Sequence, residues 1–168
     1  VKNLRACESI LKKLIKQHQG RLFNTGGDSF FVEFSSAVEA VECAVKFQKQ
    51  IGDRNKGEKV TVPLQFRIGV NMGDVIKEKS NFLGDGVNIA ARLEALAQTN
   101  GVTISKNIFD LVKAKTSYSY NDLGIQKIKK NEFHAYDILL EPSQKRKLKS
   151  QKPKSLTIAA AATVKLLG

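Results

Sequence analysis

Two glycines and a carboxylate stand between two short apolar runs within residues 21–34, at Gly26, Gly27 and Asp28. Apolar runs that flank such residues are typical of a β-hairpin. Glycines at a hairpin tip let a phosphate approach the backbone closely, and carboxylate oxygens are ligands that Mg²⁺ prefers. Aspartate and glycine are also common in turns that bind nothing, so this segment alone leaves both a metal site and a plain turn open.

A second segment, residues 82–94, pairs an amide with a guanidinium. Asn88 and Arg92 lie four residues apart, so on a helix they share one face. Beside them runs an apolar stripe of Ile89, Leu93 and Leu96. An amide and a guanidinium that project together suit a phosphate whose negative charge grows in a transition state. The alternative is a surface pair in which the two side chains bond each other.

A third segment is residues 128–130, where Lys129 comes just before the last predicted strand of the domain. Lysine binds phosphate as a point charge, but it is equally common on protein surfaces. The residue type alone therefore favours an ordinary surface lysine over a phosphate-binding one.

Hydrophobic periodicity predicts the elements that carry these segments. The capping-box spacing of Ser36 and Glu39 predicts a helix start. The predicted order is helix 1–18, strands 21–24 and 29–34, helix 36–53, strands 64–71 and 75–76, helix 87–98, strand 102–105, helix 108–114, and strands 118–128 and 133–139.

This order predicts an α+β fold, a ferredoxin-like sandwich with a split βαβ pattern and with its helices on one face of the sheet. One strand before residue 1 would complete the pattern, so the first strand is expected to be missing from this chain. We assign residues 1–140 to a single domain, which suits a chain of 168 residues.

The net charge of +12 is concentrated near the C-terminus. Residues 145–165 hold seven basic residues and no acid, which leaves +5 for residues 1–144. We interpret residues 141–154 as a basic linker, either solvated or close to an anionic membrane face. Cys7 and Cys43 lack a ligand-spacing pattern and sit on the apolar sides of predicted helices, so we expect buried free thiols.

Residues 155–168 form an apolar segment with one internal lysine. The segment is too short to span a bilayer, which takes about 20 residues. It could be the start of a transmembrane helix, with the basic linker on the cytoplasmic side, or an Ala-rich helix that frays. The corresponding expectation for location is a cytoplasmic domain, with membrane attachment in the first case.

Taken together and in this order, residues 25–29, 66–74 and 84–92 resemble class III adenylate/guanylate cyclases, especially their bacterial type. The likeness covers nearly all of residues 1–140. It implies the nucleotide cyclase form of the sandwich. It also implies an enzyme of intracellular signalling that converts a nucleoside triphosphate to a 3′,5′-cyclic nucleotide and pyrophosphate.

The resemblance assigns roles to individual residues. In the family, two aspartates hold two divalent ions, Mg²⁺ or Mn²⁺, on the triphosphate. Asp28 matches the second of these aspartates, with Gly27 beside the phosphates. Asn88 matches the residue that orients the ribose, and Arg92 matches the arginine that stabilises the five-coordinate phosphorus. Lys129 matches a lysine on the terminal phosphates.

Family members build each site across a dimer interface, with the metal site on one subunit and the Asn/Arg pair on the other. A homodimer with two composite sites is therefore implied. The first metal aspartate would lie on the strand upstream of Val1. These 168 residues alone are thus expected to have little or no activity, although the parent protein can have it.

The resemblance places the purine contacts at Asn24 and Asn81, where adenylate cyclases of this family commonly carry a lysine and an aspartate or threonine. Asparagine keeps hydrogen-bond donors and acceptors but loses the charge. The choice between ATP and GTP therefore stays open. ATP is the first candidate, because it is the more frequent substrate in the family.

Two other functions stay open on the same domain. A degenerate cyclase could bind a nucleotide and dimerise as a regulatory module without turnover, which Asn24 and Asn81 favour. Residues 26–30 also differ from the diguanylate cyclase signature only at Ser29, but that family has no counterpart of residues 84–92.

The basic charge raises nucleic-acid binding as a further alternative. RNA-binding sheets expose aromatic side chains, whereas the phenylalanines here fall where a core is expected: Phe30, Phe31, Phe34 and Phe66. Because most of the excess charge lies in the tail, we expect no nucleic-acid partner.

Overall fold

The structure is a computed structural model that describes residues 2–26, 29–57, 63–73, 76–78, 81–83, 85–128, 130–141 and 155–162. Within these ranges the chain forms α1 (Lys2–Gln17), β1 (Arg21–Gly26), β2 (Ser29–Phe34), α2 (Ala37–Asn55), β3 (Gln65–Met72), β4 (Ile76–Glu78), β5 (Asn81–Leu83), α3 (Asp85–Leu96), β6 (Val102–Ser105), α4 (Lys106–Val112), β7 (Ser119–Ile128), β8 (Asn131–Leu139) and β9 (Ser155–Ala162). The sequence predicts all of these elements except β5 and β9.

Seven strands form one sheet in the order β1, β2, β9, β3, β6, β8, β7, while β4 and β5 pair in a separate hairpin. Both β2 and β3 run parallel to β9. Helix α2 is therefore a crossover between two parallel strands that have a third strand between them. This is the predicted split βαβ pattern, and the mixed sheet with packed helices confirms the α+β fold.

The strand β9 fills the position that the sequence prediction left to a strand before residue 1. It hydrogen-bonds along both edges, to Ser29–Phe34 on one side and to Gln65–Met72 on the other. An empty position there would leave two rows of backbone N–H and C=O groups without partners in the middle of the sheet. Residues 155–162 are thus a strand and not the helix that their composition suggested.

One face of the sheet, called the first face below, carries Phe66, Ile68 and Val70 of β3 and packs against α1, α2 and α4. As predicted, Phe30 and Phe34 are buried in the same core, whereas Phe31, which alternates to the other side of β2, is only half-buried and lies outside it. The helices contribute buried side chains that include Leu11, Leu14, Ile15, Val41, Val45, Phe47, Ile108 and Val112.

The opposite face, called the second face, lies under α3. Leu93 of α3 packs against Phe133 and Ala135 of β8. Side chains alternate along a strand, so these two residues point away from Tyr136 and Ile138, which belong to the core of the first face. The expectation that all helices share one face of the sheet is therefore wrong for α3.

The start of α2 follows the predicted cap only in part. The Ser36 side-chain oxygen accepts a hydrogen bond from the Glu39 N–H, as a capping box requires. The Glu39 carboxylate, however, lies 2.6 Å from Nδ1 of His18, just beyond the end of α1. This contact ties α1 to α2.

Both cysteines are buried and free, as predicted. Burial, together with the nearby Glu39 carboxylate, raises the pKa of the Cys43 thiol to about 12. Burial also raises the pKa of Cys7. Both thiols therefore act as small apolar core groups at neutral pH. Among the described helices, none is both long enough and apolar enough to cross a membrane.

Candidate active site

Asn24 lies at a β-bulge in β1. Phe23 pairs with Phe31 and Thr25 pairs with Phe30, so Asn24 is one extra residue in its strand. A bulge bends the strand and re-aims a side chain, and bulges are frequent next to active sites. The sequence prediction ended this strand at Asn24 and missed the bulge, because an inserted residue is invisible without the register of the partner strand.

Asn81 is the first residue of β5 and lies opposite Glu78 of β4. The sequence prediction assigned Asn81 to no helix or strand, since three residues are too few to show a strand alternation. Strand β5 contacts both β1 and α3. It thereby connects the strand that carries Asn24 with the helix that carries Asn88 and Arg92.

Helix α3 leaves Asn88 exposed and Arg92 half-buried. The apolar stripe beside them packs on the second face, with Leu93 fully buried and with Ile89 and Leu96 next to it. The predicted helix with one apolar stripe is confirmed. Arg92 also interacts within its own chain, yet it is not enclosed in the core.

Gly69 of β3 allows α3 to lie directly on the second face. A Cβ atom at Gly69 would stand 2.3 Å from the Ala90 carbonyl oxygen and 2.3 Å from the Glu94 backbone nitrogen. Backbone atoms cannot yield as a flexible side chain does, so this approach requires glycine. A glycine inside a predicted strand is a sequence signal of close backbone approach, and it could have indicated this contact.

An ion pair joins the same helix turn to the same strand. Arg67 Nε of β3 lies 3.6 Å from Glu94 Oε1 of α3, and the two side chains are 28% and 7% exposed. Neither residue stands out from the sequence as part of the site. Their positions are far apart in the chain, and only the packing of α3 on β3 brings them together.

Three predicted site residues, Gly27, Asp28 and Lys129, lie outside the described residues. The neighbouring residues belong to the hairpin β1–β2, which is paired as predicted, and to the antiparallel pair β7–β8, of which the sequence predicted the strands. In the part of the chain that the structure describes, no group of three or more His, Cys, Asp or Glu side chains could hold a metal ion. Metal binding at Asp28 therefore stays a prediction.

The family model of the adenylate and guanylate cyclase catalytic domain matches residues 1–140. The chain therefore belongs to this family, the class III nucleotide cyclases, and carries a nucleotide cyclase catalytic domain. The resemblance inferred from residues 25–29, 66–74 and 84–92 is confirmed.

Two curated proteins of Rhizobium meliloti (strain 1021) are similar to this chain. The one named "Putative adenylate cyclase 3" is 42% identical over 125 residues, which are 74% of this chain and 21% of that protein. "Adenylate cyclase 1" is 23% identical over 137 residues, with 71% of this chain and 21% of that protein covered. The chain thus spans about a fifth of the length of these relatives.

Solved structures agree with the fold. An adenylate/guanylate cyclase/hydrolase from Silicibacter pomeroyi is 29% identical, with a TM-score of 0.73 over 80% of this chain and 79% of that chain. The adenylyl cyclase CyaB from P. aeruginosa is 20% identical, with a TM-score of 0.67 over 88% of this chain and 84% of that chain. The second match supports the fold alone.

Proposed function

We propose that this domain converts a nucleoside triphosphate to a 3′,5′-cyclic nucleotide for intracellular signalling. ATP is the first candidate for the substrate. In this reaction the ribose 3′-oxygen forms a bond to the α-phosphorus. The bond from the α-phosphorus to the pyrophosphate oxygen breaks, pyrophosphate leaves, and the hydroxyl proton passes to solvent. Membership of the cyclase family and the presence of both Asn88 and Arg92 on α3 support the proposal.

The observation that carries the proposal is that β5 contacts both β1 and α3 within one protomer. Asn24 and Asn81 would face the purine, where their amides donate and accept hydrogen bonds without adding charge. Asn88 would orient the ribose. Arg92 would donate hydrogen bonds to the phosphate oxygens as their negative charge grows. An exposed Asn88 and a half-buried Arg92 suit these tasks, because both must reach a ligand while Arg92 is also held in place.

We propose two divalent cations per site, Mg²⁺ or Mn²⁺, as cofactors. When bound, such cations lower the pKa of the 3′-hydroxyl and screen the phosphate charge. The carboxylate of Asp28 has the oxygen chemistry that these hard cations prefer. Gly27 would let the phosphates approach the backbone, and Lys129 would neutralise charge on the terminal phosphates.

We further propose a homodimer with two composite sites. In each site, Asp28 of one protomer would meet Asn88 and Arg92 of the other. The support is the family's arrangement, together with the position of α3, which carries Asn88 and Arg92 on the face of the sheet opposite to the other three helices.

The full-length protein that contains this domain tests the proposal. It is incubated with ATP or GTP and with Mg²⁺ or Mn²⁺, and cyclic mononucleotides are separated from cyclic dinucleotides. Arg92→Ala should lower kcat by about 10²–10³-fold, the usual cost of losing one donor to a developing charge. Triphosphate binding without turnover in the wild type would instead support a regulatory module, the alternative that Asn24 and Asn81 favour.

Mixing two inactive variants tests the dimer separately. Each of the variants Asp28→Ala and Arg92→Ala inactivates both sites of its own homodimer. In a mixed dimer one site receives both damaged residues and the other receives neither. An equal mixture should therefore regain about one quarter of the wild-type rate if subunits exchange freely. No recovery after unfolding and refolding the two variants together would contradict sites shared between protomers.

A further inference from the structure

We propose that Arg67 and Glu94 are positioning residues that set the rotation of α3 and thereby the location of Arg92. The inference deepens the proposed function and rests on it, because it concerns how the same site is held. It starts from a feature that substrate binding does not explain. A largely buried carboxylate on α3 is paired with an arginine on the strand beneath the helix.

The ion pair and the close contact at Gly69 lie at the same crossing of helix and strand. Arg67 precedes Gly69 by two residues, so both lie on the second face. The α3 backbone touches Gly69 at Ala90 and at Glu94. From that point the Glu94 carboxylate reaches Arg67, with 3.6 Å between Nε and Oε1.

The other contacts of α3 control its distance from the sheet better than its rotation. Gly69 offers a flat surface without a side chain, and the apolar packing of Leu93 is not directional. The ion pair, in contrast, attracts one side of α3 toward a fixed point on β3, where Arg67 Nε lies 3.6 Å from Glu94 Oε1, and it thereby favours one rotation of the helix. Because the Glu94 side chain is largely buried, water screens this interaction less than it screens a surface pair.

A small rotation of α3 would matter at Arg92, which lies two residues from Glu94 on the same helix. A helix with its side chains has a radius of roughly 5–6 Å, so a rotation of about 20° moves a side chain by about 2 Å. A misplacement of about 1 Å can lower a rate by about 100-fold. The ion pair would thus act on the rate through the geometry of Arg92, without touching substrate.

Steady-state kinetics on the full-length protein test this role. Glu94→Gln keeps the shape of the side chain and removes its charge, and it should lower kcat at least about tenfold with little change in KM. Arg67→Lys should retain more of the wild-type kcat than Arg67→Met, since it keeps the charge. Asp110→Asn is the matched control, because it removes an exposed carboxylate paired with Lys106 on α4 and should leave kcat unchanged.

A second measurement does not depend on turnover. In full-length protein labelled with ¹⁵N-arginine, the Arg92 Nε–H signal is assigned by its loss in Arg92→Lys. We expect this signal to shift in Glu94→Gln and to stay in place in Asp110→Asn.

The two measurements separate the possible failures. If Glu94→Gln lowers Tm but leaves kcat and the Arg92 signal unchanged, the pair is merely structural and the positioning proposal is overturned. If the wild type has no turnover, the proposed function fails, and the Arg92 signal alone decides the positioning: a shift supports it and no shift overturns it.

Discussion

The two faces of the sheet differ in the polarity of their buried side chains. The first face is mainly apolar and lies under three helices, with Gln48 and His18 as buried polar side chains on that side, while α3 is the helix that packs on the second face in the described part of the chain. Buried polar side chains of the second face and of α3 are Asn71, Glu94, Thr103 and Asp137.

These buried polar groups have partners, which burial demands. The Thr103 hydroxyl donates a hydrogen bond to the Asp137 carboxylate over 2.7 Å, and Glu94 pairs with Arg67. Partnered polar groups add less net stability than apolar groups of the same size, because they lose hydration first. They are also directional. The first face therefore mainly supplies stability, while the second face mainly fixes where α3 and its side chains lie.

The largest effect is expected from Phe47→Ala on the first face. Phe47 is fully buried, and its ring packs edge-on against Phe66 with 5.0 Å between the ring centroids. Removing a buried phenylalanine side chain leaves a cavity and typically costs about 3–5 kcal/mol. The free energy of unfolding, measured by urea denaturation, should fall by this amount.

Leu111→Ala is the matched control for this prediction, since Leu111 is an exposed apolar residue on α4. Its effect should stay within about 0.5 kcal/mol, as is usual for surface positions. A loss below about 1 kcal/mol for Phe47→Ala would show that the first face is not the main source of stability.

A smaller loss of stability with a larger loss of function is expected from Gly69→Ala on the second face. The added Cβ would stand 2.3 Å from α3 backbone atoms, where ordinary contacts begin at 3.4 Å, so the helix must shift by about 1 Å. Overpacking of this kind typically costs about 1–3 kcal/mol. If Arg92 acts as proposed, the same shift should lower kcat by about 100-fold.

Gly52→Ala provides the control for adding a methyl group. Gly52 lies inside α2, and a Cβ there would meet nothing within 4 Å. It should stabilise the domain by about 0.5–1 kcal/mol, because alanine favours the helix over glycine. Equal losses of kcat in Gly69→Ala and Gly52→Ala would show that the contact of Gly69 with α3 does not matter for activity.

The first face could be predicted from the sequence far better than the second. Helical spacing of Leu11 and Leu14 and alternation in β3 identify core residues directly, because each pattern is local. The ion pair of Arg67 with Glu94 depends instead on how α3 crosses β3, which no local pattern specifies. Gly69 was the one local clue to that crossing.

The remaining differences come from tertiary contacts that override local preference. The alanine run in β9 favours a helix, yet the gap between β2 and β3 offers backbone partners on both sides. The bulge at Asn24 is likewise set by the register with β2. Of the candidate site, the sequence identified the residue types on α3 and its exposed face, but not the contacts that hold the helix in place.

The smallest loss of stability is expected from Asp122→Asn. Asp122 is a charged residue at the solvent-exposed edge of the first face. Asp122 of β7 pairs with His134 of β8, whose ring stacks on Tyr136. The hydrogen bond from His134, and then that from the Gly124 N–H, lowers the pKa of Asp122 below its ordinary value of 3.8. The charged form is therefore favoured in the folded protein.

A lowered pKa gives stability that is present above the ordinary carboxyl pKa and is lost as the pH falls through the folded value. Because the Asp122 side chain is 57% exposed, solvent screens the pair and the contribution should be small. The Tm of Asp122→Asn should lie slightly below that of the wild type at neutral pH, and the difference should shrink as the pH falls below the ordinary carboxyl pKa of 3.8. A loss of Tm as large as that of Phe47→Ala would contradict this expectation. It would show that charge at the edge of the first face contributes as much stability as apolar burial.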